Sequence, residues 1–214
     1  MKGSPVRVKE RRPPADSVHQ FLIVLSNTDP LVWRRIQVPQ SYTFWDLHVA
    51  IQDAMGWLDC HLHEFRVVLD SKSGRIGRFG IPDDDMLEQP PVQPDWTVKV
   101  SDVLSRGDFP ILYVYDFGDD WRHMVMYEGG AQLDRSVKYP RCVSGARKCP
   151  PEDCGGVHGY EELLGAIRDP KHERHGELLE WLGGDFDPDD FDPGKLRFDD
   201  PKKRWKAAFE DSSE

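Results

Sequence analysis

Apolar positions along this chain change period several times, and each change marks an element. Residues 18–26 hold the unbroken run Phe21-Leu22-Ile23-Val24-Leu25, which predicts a buried strand. Asn27-Thr28-Asp29-Pro30 is a turn. In residues 32–38, Val32, Arg34, Ile36 and Val38 alternate with Trp33 and Arg35, so a second strand completes a hairpin that Pro39 ends. From residue 44 the period becomes helical, with Phe44, Leu47, Ile51, Ala54 and Met55 on one face. Thr43 and Asp46 have the capping-box spacing, and Gly56 marks the stop. Phe65, Val67 and Leu69 alternate in a third strand. Residues 70–95 are rich in Gly, Pro and Asp and predict an irregular insertion, followed by a short strand or helical turn at 98–104. Ile111–Asp116 and Trp121–Tyr127 predict two strands around a turn.

The order of elements predicts an α+β fold: a mixed β-sheet with one main helix packed on it, compatible with a β-grasp-like topology. Residues 17–130 form this core. Residues 131–214 change character. A Pro/Gly/Cys loop at 139–156 leads into short helices at 160–167 and 177–182, an acidic turn at 185–193 and a last helix around Trp205 and Phe209, a small helical subdomain packed on the core. Residues 1–16 predict a flexible basic arm with Lys2, Arg7, Lys9, Arg11 and Arg12.

Charge narrows the function classes. With 38 acidic and 28 basic residues the net charge is −10, which argues against generic nucleic-acid binding and leaves a protein or small molecule as the expected partner. A DNA-associated role would fall to the N-terminal arm. No apolar run approaches the roughly 18–20 residues of a membrane span. Met1–Ser17 lacks the hydrophobic segment of a signal peptide. A cytoplasmic location is expected, with Cys60, Cys142, Cys149 and Cys154 as thiols or metal ligands.

Two constellations could carry chemistry. Cys142, Cys149, Cys154 and His158 lie in a Gly/Pro-rich loop and offer four ligands to a structural zinc, although the spacing lacks a C-x2-C knuckle. The competing reading is a loop with buried thiols. The second constellation is His48, His61, His63, Asp116, Asp119, Asp120 and His123, residue types suited to metal binding or acid–base work. It centres on Tyr-Val-Tyr-Asp-Phe-Gly-Asp-Asp-Trp-Arg-His at 113–123, a turn dense in carboxylates. Such a turn is equally a structural corner, with Asp side chains accepting turn N–H groups. Asp116-Phe117-Gly118 matches a kinase tripeptide, but no other kinase motif accompanies it. Asp185–Asp189 resembles a calcium loop lacking its glycine.

Several blocks occur together in order: Trp33-Arg34-Arg35-Ile36-Gln37-Val38-Pro39, Thr43-Phe44-Trp45-Asp46-Leu47-His48, Gly56-Trp57, His61-Leu62-His63-Glu64-Phe65, the 115–123 hairpin, Cys149-Pro150-Pro151-Glu152-Asp153 and Trp181-Leu182-Gly183-Gly184-Asp185-Phe186-Asp187-Pro188. Over residues 17–197 the chain thereby resembles the plasmid pRiA4b ORF-3-like family, whose members also carry the label of TnpR-like passenger proteins of insertion elements. The resemblance implies no defined activity. A serine resolvase needs a nucleophilic serine in an Arg-rich site and a basic DNA-binding helix pair, and the sequence shows neither. The positions of Cys60 and Cys154 are expected to vary in the family, which weakens a metal site that needs Cys154. Two readings remain: an accessory or binding module, and a metal-dependent hydrolase or nuclease built on the His/Asp set.

Overall fold

The computed structural model describes residues 17–82, 90–104 and 110–210, so the basic arm expected at 1–16 lies outside the described residues. The strands are β1 (Ser17–Leu25), β2 (Trp33–Pro39), β3 (His63–Asp70), β4 (Arg75–Gly80), β5 (Gln93–Pro94), β6 (Ile111–Tyr115), β7 (Trp121–Gln132) and β8 (Arg141–Ala146). They form one sheet in the order β5-β4-β3-β6-β7-β1-β2-β8. Neighbours pair antiparallel except β4 with β5. The helices are α1 (Phe44–Met55), α2 (Val100–Leu104), α3 (Gly156–Arg168), α4 (His175–Trp181) and α5 (Pro201–Phe209). The α+β class read from the sequence is the class observed. No helix among the described residues is long and apolar enough to cross a membrane.

α1 starts and stops where local chemistry requires. The Thr43 side chain accepts from the Asp46 N–H, the Asp46 carboxylate accepts from the Thr43 N–H, and Gly56 closes the helix in the left-handed region at φ 85°. Its apolar side covers the inner face of the sheet, where Phe44, Leu47, Ile51 and Ala54 join Phe21, Ile23, Phe65 and Tyr113 in the core.

Three strands escape the hydrophobic pattern: β4, the two-residue β5 and β8. β4 lies inside the expected irregular insertion, because its inward positions include Gly77 with Phe79 as the one large apolar residue. β8 lies inside the expected Cys loop and pairs with β2, Cys142 opposite Ile36. β7 also runs through residue 130. The segment after 130 therefore begins as part of the sheet and becomes helical only from α3. α5 returns to the core: Trp205 meets Trp45 edge-on at 5.2 Å, and Arg204 reaches Asp53 at 2.7 Å.

Candidate functional site: a histidine-rich inner face, a carboxylate corner and an adjoining cleft

The seven His/Asp candidates occupy three separate places, and the combined site expected of them is corrected accordingly. His48 and His63 are buried together. Their rings stack at 3.4 Å with 6° between planes. His48 Nε2 bonds Asp59 at 2.8 Å and His63 Nε2 bonds Asp95 at 2.7 Å. Gln52 Nε2 donates to the Tyr113 hydroxyl, which is then oriented to donate to His48 Nδ1, both at 2.8 Å. That makes His48 a neutral ring carrying its proton on Nε2. Burial, helped by His63, lowers its pKa to about 4. Burial would raise Asp59, but the hydrogen bond from His48 and the nearby Arg204 guanidinium help to outweigh that and hold it below the usual carboxylate range.

His123 is sealed in the core, edge-on to Trp57 at 5.3 Å; among the described residues no well-aligned hydrogen bond reaches its ring nitrogens, and the backbone of Tyr113 and Trp121 lies near enough to oppose its loss of charge in part. Burial drives its pKa to about 3. It reaches neither Asp119 nor Asp120. The Asp120 carboxylate turns outward to Arg122, and Asp119 accepts from the Gly155 N–H at 3.1 Å.

The third place is the hairpin corner. Asp116 adopts a left-handed backbone at φ 54°, and its Oδ1 accepts from the N–H groups of Gly118 and Asp119. Oδ2 lies 3.6 Å from His61 Nε2, which is also 3.1 Å from Asp153 Oδ1. Asp153 belongs to the loop that precedes α3. Gly156, the first residue of α3, lets the backbone approach the hairpin, since a Cβ there would sit 2.5 Å from the Asp119 carbonyl oxygen. Among the described residues, His61, Asp116 and Asp153 are the His/Cys/Asp/Glu group whose ligand atoms converge, all within 4.8 Å of one another. The sequence named His61 and Asp116 but not Asp153.

The four expected zinc ligands are not brought together. Cys142 is fixed on β8 with its thiol on the Ser144 carbonyl, Cys149 is buried, and the His158 side chain points from α3 into solvent, 99% exposed. Burial pushes the Cys149 and Cys154 thiols up to about 12, so both are held as neutral packing groups.

Beside the corner, a cleft of about 700 Å³ opens between the end of α1 and the segment 182–196. Trp57, Pro150, Pro151, Phe186 and Phe191 supply apolar wall, and Glu152, Asp153, Lys148 and Lys195 ring the mouth. Trp57 is held by donation to the Pro150 carbonyl at 2.9 Å and by stacking on Tyr115 at 5.1 Å. Glu152 accepts from the Tyr115 hydroxyl at 2.6 Å and from the Leu58 N–H at 3.0 Å. Arg34 reaches the same cleft from the inward side of β2, 2% exposed. Its place among the inward residues Ile36 and Val38 was a readable signal: a guanidinium in a core register.

Fold and site define a class, an α+β protein whose mixed sheet carries a carboxylate corner beside a cleft bordered by its C-terminal segment. More narrowly, the chain belongs to the plasmid pRiA4b ORF-3-like family, whose profile matches residues 17–195. It is 37% identical over 172 residues to the uncharacterized protein y4hQ of Sinorhizobium fredii (strain NBRC 101917 / NGR234), covering 80% of this chain and 84% of that one. It also resembles the crystal structure of MM3350, a protein of unknown function from Methanosarcina mazei Go1, with TM-score 0.75 and 42% identity over 85% of this chain and 98% of that one.

Proposed function

We propose that this protein is a cytoplasmic binding module that takes a small molecule in the cleft beside the hairpin corner. The cleft itself carries the reading: it is large enough for a small organic ligand, and aromatic and proline side chains supply apolar wall among charged groups of both signs. The net charge of −10 disfavours a nucleic-acid strand. A fragment screen by NMR tests it. Hits should shift the Trp57 indole and ring signals of Phe186. A screen whose hits all fall elsewhere, or which has none, refutes it.

The convergence of His61, Asp116 and Asp153 supports a second reading, the metal-dependent hydrolase in reduced form. One imidazole and two carboxylates suit a divalent ion with open positions. Mn²⁺ titration followed by electron paramagnetic resonance should show binding that His61→Asn and Asp153→Asn both weaken, together with metal-dependent ester or phosphodiester hydrolysis. Binding unchanged in both variants removes this reading.

A further inference from the structure

Arg34 is a buried cation without a counter-ion. Its Nε donates to the Ala54 carbonyl at 2.8 Å, and Nη1 donates to the carbonyls of Trp33 and Ala146 at 2.9 Å each. Nη2 has no hydrogen-bond partner among the described residues, and no carboxylate there forms an ion pair with Arg34. The ionisable groups that act on it are the thiols of Cys149 and Cys142 and the phenol of Tyr160, and burial raises the pKa of all three, leaving them neutral. The Phe191 ring covers one face of the guanidinium, its centroid 3.9 Å from Cζ. Gly145 makes that approach possible, because a Cβ there would lie 2.6 Å from the Phe191 ring.

A guanidinium stays charged in a protein, so burial without an anion is costly unless something else supplies the negative charge. Three carbonyls and one π face offset part of that cost. They leave unused the two N–H groups of Nη2, on a residue that lines the cleft.

We propose that Arg34 anchors the carboxylate of a small ligand whose apolar body lies between Trp57 and Phe186. The proposal rests on the binding reading above and adds the ligand's chemical class. A carboxylate fits because one oxygen can accept from Nη2 in a charge-assisted bond within a low-dielectric site. The apolar walls favour a ligand with one compact charge. Lys148, with Nζ 4.8 Å from the centre of the Phe186 ring, is an exposed cation at the rim and not the anchor.

Phenylacetate and its neutral isostere phenylacetamide test the assignment by calorimetry on the full chain. The wild type should bind phenylacetate about tenfold tighter than the amide, the worth of one charge-assisted bond. Arg34→Met should bind the two equally, and Lys148→Gln should keep the preference. Should Arg34→Met fail to fold, the wild-type ratio, the Lys148→Gln ratio and a ligand-induced shift of the Arg34 Nη2 proton signal still decide. Equal wild-type affinities overturn the role of Arg34 and leave the cleft reading standing. A preference lost in Lys148→Gln, or tighter binding of phenyl phosphate, also overturns it. Absence of binding by either probe overturns both readings.

Discussion

The sheet buries two arginines, one on each face, and treats them differently. Arg78 on β4 is 7% exposed and grips Glu64 with Nε at 2.8 Å and Nη2 at 2.6 Å, while Arg66 reaches the same carboxylate at 2.6 Å. Arg34 on β2 is more deeply buried and holds carbonyls and a phenylalanine ring. The first arrangement is closed, since charge, geometry and partners are supplied within the fold. The second supplies geometry and leaves the charge unbalanced. Paired buried charges keep a fold together. An unpaired one beside a cleft is where a ligand gains most from arriving, because the fold has already met the cost of holding the donor in place.

The largest way to break this contrast is to make the first arginine resemble the second. Glu64→Ala leaves Arg78 buried with its carboxylate gone, at an expected cost of about 3–5 kcal/mol. Urea denaturation should show the midpoint falling with little change in slope. A loss below about 1 kcal/mol would mean that the pair is not closed in the sense argued.

The buried histidines extend the comparison to groups that escape the penalty by staying neutral. His48 and His123 have folded pKa values of about 4 and about 3, below the ordinary 6.5, because burial disfavours the charged ring. Between those values and 6.5 the unfolded chain binds more protons than the folded one. The stability they contribute is therefore complete above about pH 6.5 and is lost as pH falls toward 4. The combined loss should be on the order of a few kcal/mol. His123→Phe should reduce that acid sensitivity, since phenylalanine fills the site with a ring that does not titrate. Thermal melts between pH 4 and 8 check both statements, and parallel curves for the two proteins would contradict them.

A smaller effect is expected at the second arginine. Arg34→Met removes a desolvated charge but takes a donor from the Ala54, Trp33 and Ala146 carbonyls, so the net change should be within about 2 kcal/mol, short of the Glu64→Ala loss. Chemical denaturation of the two variants side by side gives the comparison directly. Equal losses would show that Arg34 is as structural as Arg78.

The sequence was most legible where local chemistry and period agreed. α1 could be read with both caps, β1 from its unbroken apolar run, and β2, β3, β6 and β7 from their alternating or aromatic-rich runs. β4 and β8 were hidden because few of their residues are large and apolar, and their place comes from neighbours already in the sheet. The site was partly legible. The hairpin Asp116 and His61 do meet, because the turn and the entry to β3 lie at the same sheet end. Asp153 could not be placed, since its approach depends on a loop threading past the turn at Gly156. His63 and His123 misled by sharing the inward face, where they pack among aromatic residues instead of opening to a ligand. Arg34 stood in plain sight within a core alternation, but only its three-dimensional surroundings show that no carboxylate among the described residues pairs with it.

The smallest effect concerns the corner, where charges pair in reach of water. His61 lies 3.1 Å from Asp153, whose side chain is 68% exposed, and 3.6 Å from Asp116. Solvent screens such a contact, so its contribution to stability should stay below about 1 kcal/mol and shrink as salt is added. The corner does not depend on it: the Asp116 carboxylate is already fixed by two backbone N–H groups, and Asp119 holds the neighbouring loop through Gly155. His61→Asn should therefore melt within a few degrees of the wild type at low salt and still closer at high salt. A large loss, insensitive to salt, would mean that His61 is a buried-type clamp like Glu64 and not an exposed group available to an incoming ion. The outcome separates the two uses of charge in this fold, since a contact that contributes little to folding is the one free to serve binding.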